Sequence, residues 1–195
     1  NTHRIVADLI DLGVENTVVP TLLFDNSSYN GLQLLGRALQ NMQLIPEKQT
    51  SYITLTQAEL NEFHFVKGDT EGIVNYGLSI KGIVFSAIFI ENQEEKIIKI
   101  SFRSQGDFDV NEFARNHFNG GGHINAAGGK SEESLSATVA KFVELVHQLN
   151  IYSYEQYKKQ SFSRFIGLLP LELRTKPRGP QTAFASFRKF YEKIN

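Results

Sequence analysis

The stretch GIVFSAIFIE, residues 82–91, decides the fold. Its two alternating sets, Ile83/Phe85/Ala87/Phe89 and Val84/Ser86/Ile88/Ile90, are apolar throughout except for Ser86. Successive residues of a strand point to opposite faces, so a segment apolar on both predicts a central strand covered from both sides. The next stretch, KIIKISFRS at residues 96–104, alternates strictly instead. Ile98, Ile100 and Phe102 fall on one face, while Lys99, Ser101 and Arg103 fall on the other. Arg103 therefore leaves the sheet on a polar face, near the end of its strand.

Upstream, an apolar stripe over residues 2–12 predicts a helix that stops at Gly13, where a glycine can take the left-handed cap. A second helix is expected over residues 29–42, with Leu32, Leu34, Leu35, Ala38 and Leu39 on its packed side. Together these form a helical connector. SYITLT at residues 51–56 reads as a strand, and Thr56 with Glu59 forms a capping box for the helix that follows. Another short helix is expected over residues 73–80. Downstream, Asp109 and Glu112 open a helix carrying Val110, Phe113, Ala114 and His117, which ends just before a run of glycines. A short strand at residues 126–129 then leads into an amphipathic helix with Leu135, Val139, Phe142, Val143, Val146 and Leu149 on one stripe. The expected fold is α/β, a mixed β-sheet with flanking helices preceded by the helical connector.

The chain has 195 residues, 41% of them apolar, enough for one generous domain or two small ones. It contains no Cys, which removes disulfides and thiolate metal sites and fits a cytoplasmic setting. No apolar run approaches the roughly 20 residues of a membrane span, and no segment has the form of a signal peptide. The helical pattern beginning almost at residue 1 reads as a piece cut from a longer protein. Charge is unevenly distributed: residues 1–154 hold 11 Lys and Arg against 18 Asp and Glu, a balance of −7, while residues 155–195 hold 9 against 3, giving +6. The expected organisation is residues 1–48 as connector, 49–150 as the main domain and 151–195 as a basic, aromatic-rich extension.

The glycines lie in HFNGGGHINAAGG, residues 117–129. Consecutive residues without a Cβ let backbone N–H groups approach a ligand and form an anion-binding nest. His123 adds a donor that is neutral or cationic near neutral pH, and Ala126 and Ala127 keep the next turn thin. Bare amides, one directional donor and little bulk are what a phosphate needs. The plainer account is a helix cap followed by a loop, with His123 on the surface. For GGGH followed by AAGG, the phosphate reading is the better one.

GGGHINAAGG, preceded by SFRSQGDFDVNEFA and further upstream by DTEGIVNYGLSIKGI, resembles the DHH-associated domain of the DHH phosphoesterase superfamily. The likeness is greatest to the bacterial oligoribonuclease (nanoRNase) and pAp phosphatase group, with a looser one to cyclic-dinucleotide phosphodiesterases and RecJ-type exonucleases. It covers about residues 51–149, with the connector resembling the end of the catalytic DHH domain. The resemblance implies a substrate-recognition domain for a phosphoesterase whose upstream domain holds two manganese ions and hydrolyses very short RNA or pAp. It implies that Gly120, Gly121 and Gly122 shape the loop and that His123 contacts a phosphate. Arg103 and Ser104 would face the same cleft, and Asn125 would line it. Implied partners are a short RNA or mononucleotide substrate, the upstream DHH domain and, as an option, a second copy in a homodimer, with no membrane.

No DHH triplet occurs in the chain. Two-metal hydrolysis needs several carboxylates and imidazoles around both ions. Asp107, Asp109, His117 and His123 are the nearest approach to such a set, and helix capping explains Asp109 more simply. No catalytic residue and no metal ligand is therefore expected within the chain. Asp69, Thr70 and Glu71 read as capping for the short helix, Asn75 and Tyr76 as packing or ligand contacts, and Lys99 as a solvated face. In the extension, Phe162, Arg164, Phe165, Arg174, Lys176, Arg178, Phe187, Arg188, Lys189 and Tyr191 have the composition of a nucleic-acid surface. Phe184, Phe187, Tyr191 and Ile194 equally suit a docked helix. A module that binds nucleotide or RNA without chemistry is the alternative to the recognition half of an enzyme.

Overall fold

The computed structural model describes residues 2–15, 18 and 27–149; the extension at 151–195 lies outside them. Helix α1 (Thr2–Asp11) ends at Gly13, whose φ of +91° is the left-handed conformation the sequence called for. Helix α2 (Tyr29–Gln40) is started by Ser28, whose Oγ accepts from the Gly31 amide at 2.9 Å. The strands are β1 (Gln43–Ile45), β2 (Thr50–Leu55), β3 (Phe85–Asn92), β4 (Ile97–Ser104), β5 (Gly121–His123) and β6 (Ala126–Ser131). They form one six-stranded sheet in the order β1-β2-β3-β4-β6-β5, in which β2 and β3 run parallel and every other pair antiparallel. A parallel pair requires a crossover, and the chain makes it through α3 (Gln57–Glu62) and α4 (Asn75–Leu78). Helices α5 (Val110–His117) and α6 (Leu135–Gln148) complete the mixed α/β architecture.

One sheet face is covered across its middle. Phe85, Ala87 and Phe89 of β3, Ile98, Ile100 and Phe102 of β4, and Ala127 of β6 form one core with Val110, Phe113 and Ala114 of α5 and Phe142 and Val146 of α6. Phe102 is wholly buried, with the rings of Phe85, Phe89, Phe113, Phe118 and Phe142 all within 6.5 Å between centroids. Edge-to-face pairs such as Phe102 with Phe113 add to the burial through the ring quadrupoles.

The other face is divided. Ile53 and Leu55 of β2 and Ile88 of β3 pack beneath Leu34 and Ala38 of α2, Leu60 of α3, and Ile73 and Val74 just before α4. This second core stops at β3 and includes no residue of β4, β6 or β5. Ser86, the polar exception in the opening stretch, belongs to the covered half: Ser51 Oγ donates to Ser86 Oγ at 3.0 Å, both fully buried. Helix α4 presses onto this pair with Gly77, where a Cβ would lie 2.1 Å and 2.2 Å from the two hydroxyl oxygens. A glycine is needed there because the helix backbone itself is the contact.

Several expectations need correction. Leu32 and Leu39 are exposed, and α2 buries Gly31, Leu34 and Ala38 instead, because its packed stripe is narrower than its apolar content. The helix expected over residues 73–80 is the single turn α4, with hydrogen-bonded turns on either side. Asp69 does not cap it; the Asp69 carboxylate accepts from the Val66 amide at 2.8 Å and closes a turn. Strands β1 and β5 are too short to show a period in the sequence.

Candidate functional site

The register of the sheet sets the site. Ser86 lies opposite Arg103, Arg103 opposite Ala126, and Ala126 opposite His123, so these four form one row across β3, β4, β6 and β5. Residues directly opposite share a face. Arg103 and His123 therefore stand on the same side, two strands apart, with α-carbons about 10 Å from each other at the usual strand spacing. Between them is only the methyl of Ala126. The next row, Ser101, Gly128 and Gly121, offers a nearly bare floor, and beyond it Lys99 lies opposite Lys130. This is the half of the face that the second core leaves open. Helix α4 walls it on the β3 side, tied to the end of β4 by the Gln105 side-chain amide donating to Leu78 O at 3.1 Å.

The open half is cationic. Arg103 is half-buried and held by one hydrogen bond, from Nη1 to Phe102 O at 2.9 Å. His123 and Lys130 are exposed, and exposed Lys99 is ion-paired with Glu95 four residues earlier. A surface pair of that kind contributes little and exchanges readily with another anion. A groove of about 950 Å³ lies on the opposite face between β2 and α6 and carries Glu59 and Glu144, the wrong charge for an anion.

The glycines do something other than form a nest. Two of their three amides are already engaged: Gly120 N donates to Ala114 O at 3.2 Å, and Gly122 N to Asn111 Oδ1 at 2.9 Å. Since Gly122 turns its amide outward, the antiparallel pattern turns those of Gly121 and His123 toward β6. A Cβ on Gly120 would lie 1.9 Å from Gly128 O, and one on Gly122 2.4 Å from Ala126 O. At these two positions the missing side chains let β5 close onto β6. Gly121 differs, since a Cβ there would meet nothing nearer than Arg115 Nε at 3.4 Å. Asn119, with a φ of 47°, makes the left-handed step out of α5 that starts the strand.

Ser104 and Asn125, expected to face the ligand, serve the frame. Ser104 is buried, on the side of β4 opposite to Arg103, and its Oγ donates to Phe108 O at 2.7 Å. Asn125 Nδ2 donates to Ser104 Oγ at 3.0 Å and to Gly106 O at 2.9 Å. The two side chains pin the β5–β6 turn to the loop after β4, and so hold His123 and Arg103 in one row. Two residues that the sequence reading passed over also shape the site. Asn111 Oδ1 accepts from both Gly122 N and Arg115 Nε, each at 2.9 Å, from one face of α5. Their spacing of four residues just ahead of the glycines was the available signal.

Among the described residues, no three His, Cys, Asp or Glu side chains converge as a metal site. Asp109 caps α5, its Oδ1 accepting from the amides of Asn111 at 2.8 Å and Glu112 at 3.0 Å. His117 lies against the ring of Phe113, 5.1 Å between centroids. The described residues thus do not fit a manganese pair. Nor is any described helix long and apolar enough to cross a membrane. Far from the open face, burial raises the Glu59 carboxyl, but hydrogen bonds from Asn41 and from the Thr56 amide and hydroxyl, helped by the Arg37 charge, outweigh it. They hold Glu59 below the ordinary carboxylate value.

A family model of the DHHA1 domain matches residues 50–150. Among solved structures, an exopolyphosphatase-related protein from Bacteroides fragilis is 35% identical with a TM-score of 0.72, over 75% of this chain and 43% of that one. A pGpG-specific phosphodiesterase from Vibrio cholerae is 13% identical with a TM-score of 0.46, over 76% of this chain and 50% of that one. The chain thus spans at most half the length of these proteins.

Proposed function

Because this chain belongs to the DHHA1 domain family, we propose that it is the substrate-recognition domain of a manganese-dependent phosphoesterase acting on very short oligoribonucleotides or pAp. The row Arg103–Ala126–His123 on the open half of the sheet carries this reading. A guanidinium and an imidazole face one side of a floor that has almost no side chains, carried by α-carbons about 10 Å apart across the strands. A phosphoryl group settling there accepts charge-assisted bonds from Arg103 and from His123, which are stronger than neutral ones. The substrate's reacting phosphoester, a phosphodiester in short RNA and a phosphomonoester in pAp, would then be presented to metal ions held by an upstream domain. This chain contributes binding and orientation, which lower the barrier by fixing the reactants in place.

The test is a titration of adenosine 3′,5′-bisphosphate and of a 5′-phosphorylated diribonucleotide against the chain and its His123→Ala and Arg103→Gln variants. Loss of a hydrogen bond to a charged group should weaken binding by about 1.5–3 kcal/mol in each variant. Unchanged affinity in both would remove the row from the site. Turnover of either compound by this chain with manganese added would show that the reaction does not depend on an upstream domain.

A further inference from the structure

We propose that Arg115 is a second anion contact of this site, so that the open floor holds two phosphoryl groups of one ligand together, one at Arg103 and His123 and the other at Arg115. The inference rests on the reading above and adds a residue to it. Arg115 belongs to α5, the helix packed on the opposite face, yet its side chain runs along the outer edge of β5. Its Nε donates to Asn111 Oδ1 at 2.9 Å, and it lies 3.4 Å from the point where a Gly121 Cβ would project. Positions i and i+2 of a strand share a face, so this is also the side of His123. Gly121 has no steric need to be glycine against β6, unlike Gly120 and Gly122. Its bareness leaves room for the guanidinium.

The engagement of Arg115 is that of a presented cation. The residue is exposed, and no ion pair among the described residues involves it. One hydrogen bond through Nε fixes the plane of the fork and leaves the Nη donors for a planar or tetrahedral oxyanion. Anchoring an arginine in this way reduces the rotamer entropy lost on binding. Arg103 on β4 and Arg115 at the outer edge of β5 bracket the floor from its two sides, with β6 and β5, which carries His123, between them. Two phosphates joined through a ribose would engage one each, as in a nucleoside 3′,5′-bisphosphate or a 5′-phosphorylated dinucleotide.

The experiment compares adenosine 3′,5′-bisphosphate with AMP by calorimetry on the 195-residue chain, using Arg115→Gln, Arg115→Lys and Arg103→Gln, with amide chemical shifts of Gly122 and His123 as a check on β5. Arg115→Gln should weaken the bisphosphate about tenfold, as expected for loss of a charged hydrogen bond, and leave AMP nearly unchanged. Arg115→Lys should recover part of the loss, and Arg103→Gln should weaken both ligands. If Arg115→Gln weakens the two ligands equally or neither, while Arg103→Gln still weakens both, the second contact is wrong and the recognition site stands. If the unaltered chain binds neither ligand, both readings fall. Displaced Gly122 and His123 amides in Arg115→Gln would make Arg115 a strap for β5, and would also overturn the proposal.

Discussion

Ser86 and Arg103 face each other across adjacent strands, on the same side of the same sheet, and meet opposite surroundings. Ser86 is sealed under Gly77 of α4, whereas Arg103 begins the row that, among the described residues, runs uncovered to His123. The two halves have the same backbone and the same partner core on the reverse face. What separates them is where the second apolar core ends. The covered half gains stability from burial on both faces, while the open half relies on the aromatic core beneath it and can leave its upper face to polar groups. A recognition surface of the kind proposed needs one well-packed face below it and no second core above it.

The sharpest way to break this contrast is at the edge. Gly120→Ala forces a Cβ to within 1.9 Å of Gly128 O, a backbone atom that cannot move without opening the β5–β6 ladder. The expected cost reaches or exceeds the about 1–3 kcal/mol usual for overpacking. Urea melts should show it, together with loss of protection at the Gly122 amide. Gly121→Ala is the paired control, since its Cβ meets only ordinary contacts. Its melt should shift by no more than about 0.5 kcal/mol. Equal destabilisation by the two would mean that all three glycines serve the same end, and the distinction drawn between them would be lost.

Next in size is the covered half. Gly77→Ala drives a methyl into Ser51 Oγ and Ser86 Oγ, so α4 must lift from the sheet. About 1–3 kcal/mol of destabilisation is expected. A double change, Gly77→Ala with Ser86→Gly, should recover part of it, because one of the two obstructing side chains is then gone. No recovery would place the strain in the backbone of α4 and not in its contact with the serines.

How much of this was legible depended on length and period. The apolar stretch ending in Ile90 and the alternating stretch with Ile98, Ile100 and Phe102 announced a doubly covered strand beside a singly covered one, and the contrast between Ser86 and Arg103 follows from that. The capping box at Thr56 and Glu59 and the cap at Asp109 were equally plain, because a cap is local chemistry. Strand β5 was hidden, since three residues carry no period and glycines show no face. The uses of Ser104, Asn125 and Arg115 were hidden too. Each is set by a partner that only the folded chain brings near, such as Phe108 O or the Gly121 backbone. The sequence pointed to the part of the sheet proposed as an anion site and misjudged what holds that part together.

The smallest effect expected distinguishes the halves by acid. Glu59 fastens α3 to α2 in the covered half: Oε2 accepts from the Thr56 amide at 2.8 Å, Oε1 accepts from Asn41 Nδ2 at 2.8 Å, and Arg37 lies 3.5 Å away. Its folded-state value is held below the ordinary one, so the unfolded chain binds the proton more readily. The contribution is complete above the unfolded carboxylate value of about 4.3 and is lost as the pH falls through the lower folded value. Glu59→Gln removes the titrating group. Urea midpoints should therefore separate the variant from the parent at pH 7 and converge as the pH is lowered through the folded-state value, below which the parent carboxyl is protonated as well. A gap of constant size across that range would show that Glu59 acts through shape alone, and that the covered half carries no charge-dependent fastening at this point.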